Sequence, residues 1–237
     1  MTFSGRTAIV TGGTGALGGV CAERLLDRGL NLGIPYTSEK SLLRIPPKVA
    51  AAGPKVFTQR TDLSKGGQAG SFVDAVVAQF GSVDYLVHAA GGYLGGNTLD
   101  EVTEEQWDDI MDMNLKASFL MCSSVLRVMR RQGFGHIVNI AAMPALESGA
   151  NKGPYAVSKR GVVSLTQIIS DETKGTGITA NAIAPSIILT DANRHSMPSA
   201  DFSRWVTPQE IAEMALYLCS DEAKSISGNV IKMYGGV

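Results

Sequence analysis

Short runs of β-branched and other apolar residues alternate along the chain with longer segments whose apolar residues recur at helical spacing. The short runs predict seven β-strands, at 7–11, 30–36, 55–58, 83–88, 136–141, 178–184 and 229–233. The longer segments predict helices, of which the clearest lie at 16–28, 67–80, 104–131 with a break, 155–173 and 208–219. Strands separated by helices pair in parallel through right-handed crossovers. We therefore predict one α/β domain over 1–237, a doubly wound sheet of about seven parallel strands with helices on both faces.

Composition narrows the class of protein. The 237 residues are 44% hydrophobic and carry 21 basic against 22 acidic side chains, a net charge of −1. This balance excludes a disordered chain and disfavours nucleic acid as a partner. The three cysteines, Cys21, Cys122 and Cys219, make a disulfide framework improbable and fit a reducing compartment. Without an apolar run of about 18 residues we expect no membrane span, and we expect a cytoplasmic protein.

The first predicted strand runs directly into a glycine-rich turn, T-G-G-T-G-A-L-G at 11–18. Its glycines allow a sharp turn and close approach of the backbone, while the first amides of the following helix face an anion. The pattern predicts a Rossmann cradle for the pyrophosphate of a dinucleotide, with a plain glycine turn as the alternative. The expected cofactor contacts in the turn are Gly12, Thr14, Gly15, Ala16 and Leu17.

The end of the second strand separates NAD from NADP, because a carboxylate there binds the ribose hydroxyls and repels a 2′-phosphate. Here Tyr36 and Thr37 occupy this edge in place of an acid. Thr37, Ser38 and Lys40 can donate hydrogen bonds to a phosphate, whereas Glu39 argues for NAD. We expect NADP(H) to be favoured over NAD(H), with Tyr36, Thr37 and Ser38 as contacts.

Two further strand ends carry candidate cofactor contacts. After the third strand, Asp62 and its neighbour Leu63 lie in R-T-D-L-S, where the carboxylate either accepts from the adenine amino group or caps a turn. The fourth strand ends in H-A-A-G-G-Y-L-G-G-N, whose glycines suggest close approach of a ligand. We expect contacts from Ala89, Ala90 and Gly91.

Tyr155 and Lys159 lie four residues apart in Y-A-V-S-K and so share one face of a helix. An ammonium at that distance lowers the pKa of a phenol toward neutral pH. The pair therefore predicts a tyrosine that acts as a general acid or base.

Together these motifs resemble the short-chain dehydrogenase/reductase superfamily, and the resemblance covers nearly the whole chain. The matching positions are Gly12, Gly15, Gly18, Ala90, Gly91, Asn114, Tyr155, Lys159, Pro185 and Thr190. The resemblance implies an oxidoreductase that acts on a small molecule and binds its cofactor also through Pro185. It further implies a homodimer or homotetramer that pairs through the helices at 104–131 and 155–173.

The same resemblance implies residue roles. Tyr155 would donate or accept the proton that accompanies hydride transfer to or from the nicotinamide. Lys159 would hold the nicotinamide ribose, and Asn114 would support a proton-relay water. Thr190 and the backbone of Ile188 would contact the carboxamide.

One departure from the superfamily bears on the chemistry. The usual serine thirteen residues before the tyrosine is Ala142 here, so the hydroxyl that polarises a carbonyl is missing. The dihydropteridine reductases also lack it, and the chain resembles them at 12–18, 90–97 and 194–205. A quinonoid or imine-like ring is already electrophilic and needs less help. The resemblance thus implies hydride transfer to an activated conjugated substrate.

The substrate side is expected at Ala142, Tyr93, Met197 and Trp205, with a lid over 191–206. Met197 and Trp205 line an apolar pocket for a flat ring in this interpretation, and are packing contacts of a short helix in the other.

Two alternative functions remain open. In the first, the protein is an ordinary carbonyl or alcohol reductase in which Ser148, or a water held by Asn151, replaces the missing serine. In the second, it binds a nucleotide without turnover, as a sensor or scaffold.

The three histidines, at 88, 136 and 195, lie far apart, so we expect no metal site.

Overall fold

The computed structural model describes residues 3, 5–147 and 149–237. In this part of the chain seven parallel strands form one sheet in the order β3-β2-β1-β4-β5-β6-β7. The strands are β1 (Thr7–Thr11), β2 (Asn31–Tyr36), β3 (Val56–Arg60), β4 (Tyr85–His88), β5 (Gly135–Ile140), β6 (Ile178–Pro185) and β7 (Val230–Met233). The predicted doubly wound α/β fold is confirmed.

Helices cover both faces of the sheet. They are α1 (Ala16–Asp27), α2 (Glu39–Leu42), α3 (Pro47–Ala50), α4 (Gln68–Phe80), α5 (Glu104–Met111), α6 (Ala117–Gln132), α7 (Gly153–Glu172), α8 (Asp191–Ser196) and α9 (Pro208–Leu218). Short 3₁₀ turns lie at Gly53–Lys55, Leu99–Glu101, Met143–Ala145, Phe202–Arg204 and Asp221–Ala223. No helix in the described ranges is long and apolar enough to cross a membrane.

The break predicted within 104–131 is a π-helical turn, Asp112–Lys116, between α5 and α6. Such turns insert one residue into a helix and are frequent at functional sites. Here the turn carries Asn114, whose side chain is fully buried.

Predicted strand boundaries differ from the observed ones by one or two residues. The difference that affects the site is at β3, which extends to Arg60 instead of ending at residue 58. Arg60 is the register partner of Tyr36, the last residue of β2. Backbone pairing therefore carries both strands to the same edge of the sheet.

The hydrophobic core consists of two layers, one on each face of the sheet. On one face α1 and α9 pack on the strands, with Leu25 and Leu216 among the buried contacts. On the other face α4 and α6 supply Phe72 and Met121. Fully burying a side chain of this size contributes about 1.5–3 kcal/mol, so the two layers hold the strand ends in fixed positions.

The order of the strands places the site. β1 and β4 are neighbours, and the connections that leave them run to opposite faces of the sheet. In such sheets a crevice opens at the carboxyl ends of these two strands, and ligands bind there.

Candidate functional site

The glycine-rich turn lies between β1 and α1, as predicted. Gly12 has a φ of +68°, and a Cβ at this residue would lie 2.9 Å from the backbone of Ala89. A Cβ at Gly18 would collide with the carbonyl oxygen of Gly12. Gly15 donates its N–H to that same oxygen at 2.8 Å. The turn is therefore a compact backbone cradle at the start of a twelve-residue helix, which suits a pyrophosphate.

A cavity of about 1130 Å³ extends from this cradle along the carboxyl edge of the sheet. It is lined by most of the predicted cofactor contacts: Gly12, Thr14, Gly15, Ala16, Leu17, Tyr36, Thr37, Asp62, Leu63, Ala89, Ala90 and Gly91. The cavity and its glycine cradle fit a dinucleotide in size and in chemistry.

Five predicted cofactor residues lie outside the lining of this cavity: Ser38, Lys159, Pro185, Ile188 and Thr190. Ser38 caps α2, where its hydroxyl oxygen accepts from the N–H of Ser41 at 3.2 Å. The hydroxyl oxygen of Thr190 likewise accepts from Asn193 as the cap of α8. Both oxygens therefore serve as helix caps, and the predicted donation from these hydroxyls to a ligand stays a prediction.

At the end of β2 the structure adds a cation that the sequence reasoning missed. The Nε of Arg60 donates to the carbonyl oxygen of Thr37 at 3.2 Å, and Arg60 lines the cavity. The Tyr36 hydroxyl donates to Glu39 at 3.1 Å and so engages the one acid of this segment. The sequence prediction ends the third strand at residue 58 and so leaves Arg60 outside the strand. The signal that places Arg60 at this edge is its register with Tyr36.

Asp62 begins a turn. Its Oδ1 accepts from the N–H of Ser64 at 3.0 Å and from its hydroxyl at 2.7 Å. The hydrogen bond from the Ser64 hydroxyl holds the pKa of the Asp62 carboxyl below its usual range. The turn-capping alternative therefore describes this contact, and the residue also faces the cavity.

His88 ends β4, directly before the loop residues Ala89, Ala90 and Gly91 that line the cavity. Its Nδ1 lies 3.0 Å from the hydroxyl oxygen of Thr11, and that oxygen accepts from the N–H of Ala90 at 3.1 Å. Burial lowers the pKa of His88 to about 3, so the ring is neutral at physiological pH. Thr11 thus supports the Ala90 loop, with His88 as a packing partner and not as a base.

Asn114 joins the glycine-rich loop after β4 to α7. Its Oδ1 accepts from Gly92 N–H at 2.8 Å, and its Nδ2 donates to Gly92 O at 3.1 Å and to the Ser158 hydroxyl at 3.0 Å. The Ser158 hydroxyl donates onward to the carbonyl oxygen of Tyr155 at 2.8 Å. The side chain therefore fixes the loop against the helix that carries Tyr155.

Tyr155 and Lys159 lie on α7 beside this junction. Lys159 is buried, and its Nζ donates to the carbonyl oxygen of Ile140 at 2.9 Å. A Cβ at Gly91 would lie 3.1 Å from that Nζ and 2.6 Å from Asn114 Oδ1. The ammonium therefore lies where the cavity meets the junction.

The electrostatics of this pair differ from the expectation. Burial raises the pKa of Tyr155 to about 12, with a smaller contribution from the Tyr93 phenol. The prediction that Lys159 lowers this pKa is therefore wrong for the protein without bound cofactor. Burial lowers the pKa of Lys159 to about 8. At neutral pH the phenol is protonated and the amine is charged. A protonated phenol is a general acid.

Tyr93 and Ala142 are two of the residues predicted to contact the substrate. The Tyr93 ring packs edge-on against Tyr155 with centroids 5.0 Å apart, and Tyr93 is 64% exposed. Ala142 is 5% exposed and presents a methyl group. Ser148 lies outside the described residues. The carbonyl oxygen of Asn151, the other proposed substitute, accepts from Gly96 N–H at 2.9 Å.

The predicted lid contains α8 and the turn Phe202–Arg204. It is anchored at one end by Val206, which pairs with Ile188 in an isolated bridge. Trp205 is 6% exposed, with its ring 4.8 Å from that of Phe202. The burial of Trp205 fits the interpretation in which it is a packing contact. The Met197 side chain is half-buried.

Comparison with known proteins identifies the class. A family model described as enoyl-(acyl carrier protein) reductase matches residues 13–237. The 3-oxoacyl-(acyl-carrier-protein) reductase FabG of Staphylococcus epidermidis (strain ATCC 35984) is 31% identical over 241 residues, which cover 98% of each protein. A short-chain type dehydrogenase/reductase from Mycobacterium ulcerans superposes with a TM-score of 0.93 at 29% identity, covering 100% of this chain and 90% of that one. The actinorhodin polyketide ketoreductase, solved with NADPH, gives 0.89 at 30% identity, covering 98% and 96%.

The fold, the glycine turn and the Tyr155–Lys159 pair define a nicotinamide-dependent oxidoreductase. The chain belongs to the short-chain dehydrogenase/reductase family. The family model is named for an enoyl reductase, two of the matching proteins for carbonyl reductases, and the third for the family itself. The narrower resemblance to dihydropteridine reductases therefore stays a prediction.

Proposed function

We propose that the protein is an NADP(H)-dependent reductase that converts a carbonyl group of a small molecule to an alcohol. The observation that carries this proposal is the placement of Tyr155 and Lys159 one helical turn apart on α7, with the Lys159 Nζ against Gly91 at the edge of the cofactor cavity. Burial keeps the Tyr155 phenol protonated at neutral pH, as a general acid must be. The names of the relatives, a 3-oxoacyl reductase and a ketoreductase, support the same reaction.

Each residue of the site has a role in the proposed reaction. When bound, NADPH would supply the hydride, and the cradle at Gly12 and Gly15 would hold its pyrophosphate. Lys159 would hold the nicotinamide ribose, and its charge would favour the oxyanion that develops on the carbonyl. The Tyr155 hydroxyl donates its proton to that oxygen as the new C–H bond forms. Asn114 keeps Tyr155 aligned with the loop at Gly92.

The preference for NADP(H) over NAD(H) is part of this proposal. It is supported by the absence of an acid at Tyr36 and Thr37, and by the engagement of Glu39 with the Tyr36 hydroxyl. The ketoreductase relative was solved with NADPH, which agrees.

A second candidate is reduction of a quinonoid or imine-like conjugated ring, favoured by two observations. The methyl of Ala142 donates no hydrogen bond to a carbonyl oxygen, and the exposed Tyr93 ring offers a flat face beside Tyr155. In this candidate the segment 191–206 covers the ring, with Met197 as a contact.

One experiment separates these candidates. NADPH oxidation is measured with a 3-oxoacyl thioester and with quinonoid dihydropterin, in wild type and in Ala142→Ser. For a carbonyl reductase, wild type reduces the thioester, and the added hydroxyl raises kcat by roughly tenfold or more. Ala142→Cys, which has similar size but a weak donor, is the matched control and should leave kcat near wild type.

Two results would contradict the main proposal. Turnover of dihydropterin alone, unchanged by Ala142→Ser, would establish the conjugated substrate. Tight NADPH binding without turnover of either substrate would favour the sensor or scaffold.

We also propose that two or four copies assemble through α6 and α7. The apolar side chains Phe119, Val157 and Ile168 on these helices are 52%, 48% and 53% exposed, which supports an interface. A cytoplasmic location is supported by the three buried cysteines, all of them free thiols.

A further inference from the structure

Arg60 lies at the edge of the sheet where the second strand ends, in the lining of the cavity. It ends β3 in register with Tyr36, and its Nε donates to the carbonyl oxygen of Thr37 at 3.2 Å. In this fold the adenosine ribose binds at the end of the second strand. The bond to Thr37 holds the guanidinium at that edge, within the lining of the large cavity.

Most of the N–H donors of the Arg60 guanidinium are not engaged by the protein in the described ranges. Of its five N–H groups, Nε–H is engaged with Thr37, and within the described ranges Arg60 has no carboxylate within 4.0 Å. The two terminal nitrogens of a guanidinium match two oxygens of one phosphate. A phosphate at the ribose 2′ position would therefore meet a cation already fixed by the backbone.

The other candidate donors are weaker. Ser38 caps α2 and lies outside the cavity lining. Lys40 is exposed on α2, and it makes no hydrogen bond to the cavity lining in the part of the chain that the structure describes. Arg60 combines charge, a place in the lining and a fixed position.

We infer that Arg60 is the residue by which the protein distinguishes a 2′-phosphorylated cofactor from an unphosphorylated one. This inference rests on the proposed NADP(H) preference and names the side chain responsible. It also explains how the segment tolerates Glu39, since the Tyr36 hydroxyl holds that carboxylate.

Binding of nucleotide fragments tests the inference without turnover. Isothermal titration calorimetry compares adenosine 2′,5′-bisphosphate with 5′-AMP, which differ only in the 2′-phosphate. Wild type should prefer the bisphosphate, and Arg60→Gln should weaken its binding roughly tenfold or more while leaving 5′-AMP within about twofold. Arg60→Lys should restore part of the loss, because an ammonium is a point charge without the fork.

Lys40→Gln is the matched control, with the same change of charge on the neighbouring helix, and should have little effect. The inference would be overturned if Arg60→Gln lost affinity equally for both fragments or for neither. It would also be overturned if Lys40→Gln, and not Arg60→Gln, lost affinity for the bisphosphate. Wild type that binds both fragments equally would refute the NADP(H) preference together with the inference, yet leave nucleotide binding intact. Wild type that binds neither would refute the proposed function itself. Since Arg60 is exposed, circular dichroism and Tm should show an intact fold in each variant.

Discussion

At the scale of single residues, burial decides the chemistry of the Tyr155–Lys159 pair. Sequence spacing predicts that the ammonium lowers the pKa of the phenol, and the spacing itself is correct. However, desolvation penalises the charged form of each group, raising the pKa of Tyr155 and lowering that of Lys159. Burial could not be read from the Y-A-V-S-K motif, because it depends on the elements packed around α7.

The proposed acid is tested by Tyr155→Phe, which removes only the hydroxyl. We expect kcat for the 3-oxoacyl thioester to fall roughly 10²- to 10⁴-fold, because general acid catalysis contributes about that much. NADPH affinity, followed by fluorescence titration, should stay near wild type. Retention of most of the wild-type kcat would mean that another group donates the proton.

A stability measurement tests the burial of Lys159. Its pKa falls from an ordinary 10.5 to about 8, so between these values the unfolded chain binds more protons than the folded one. The free energy of unfolding therefore rises with pH across this window, by at most about 3 kcal/mol. Lys159→Met lacks this titration. The Tm of Lys159→Met minus the Tm of wild type should therefore be more positive at pH 7 than at pH 10. A Tm difference that does not change with pH would contradict the assignment.

At the scale of elements, the site depends on turns whose geometry the sequence partly encodes. The glycine turn between β1 and α1 was predicted from spacing alone, because glycine is required where the backbone approaches itself closely. The break at Asn114 was predicted too, but its form was not. The π-helical turn and the bonds from Asn114 to Gly92 and Ser158 arise only when α7 packs beside the loop.

Gly18→Ala tests the cradle. A Cβ at Gly18 collides with the Gly12 carbonyl, so the turn must open. We expect NADPH binding to weaken by roughly tenfold or more, and Tm to fall. Gly70→Ala on α4 is the control, since its Cβ would make only an ordinary contact at 3.5 Å and alanine favours the helix. Unchanged NADPH affinity in Gly18→Ala would argue against the cradle.

At the scale of the whole molecule, the described surface leaves apolar side chains on the outer side of α6 and α7. Single exposed apolar residues are common, but three on two adjacent helices suggest a contact between copies. The number of copies follows from which surfaces meet, and that geometry is not encoded in a single helix.

Charge on this surface should disrupt the assembly. We expect wild type to elute as a dimer or tetramer in size-exclusion chromatography with light scattering, and Ile168→Glu to shift toward the mass of one chain. Leu43→Glu, at a residue 85% exposed beside α2, should leave the mass unchanged. A wild type that is monomeric at micromolar concentration would refute the interface.

The sequence by itself determined the order of strands and helices, the doubly wound topology, the glycine turn and the candidate pair of Tyr155 and Lys159. These features depend on periodicity, turn residues and short spacings, which are local properties of a chain. Only the tertiary structure decided which hydroxyls serve as caps, that Trp205 is packed, and that Arg60 meets Thr37. Those outcomes depend on contacts between residues distant in sequence, because strand register and helix packing set which side chains face the cavity and how deeply each charge is buried.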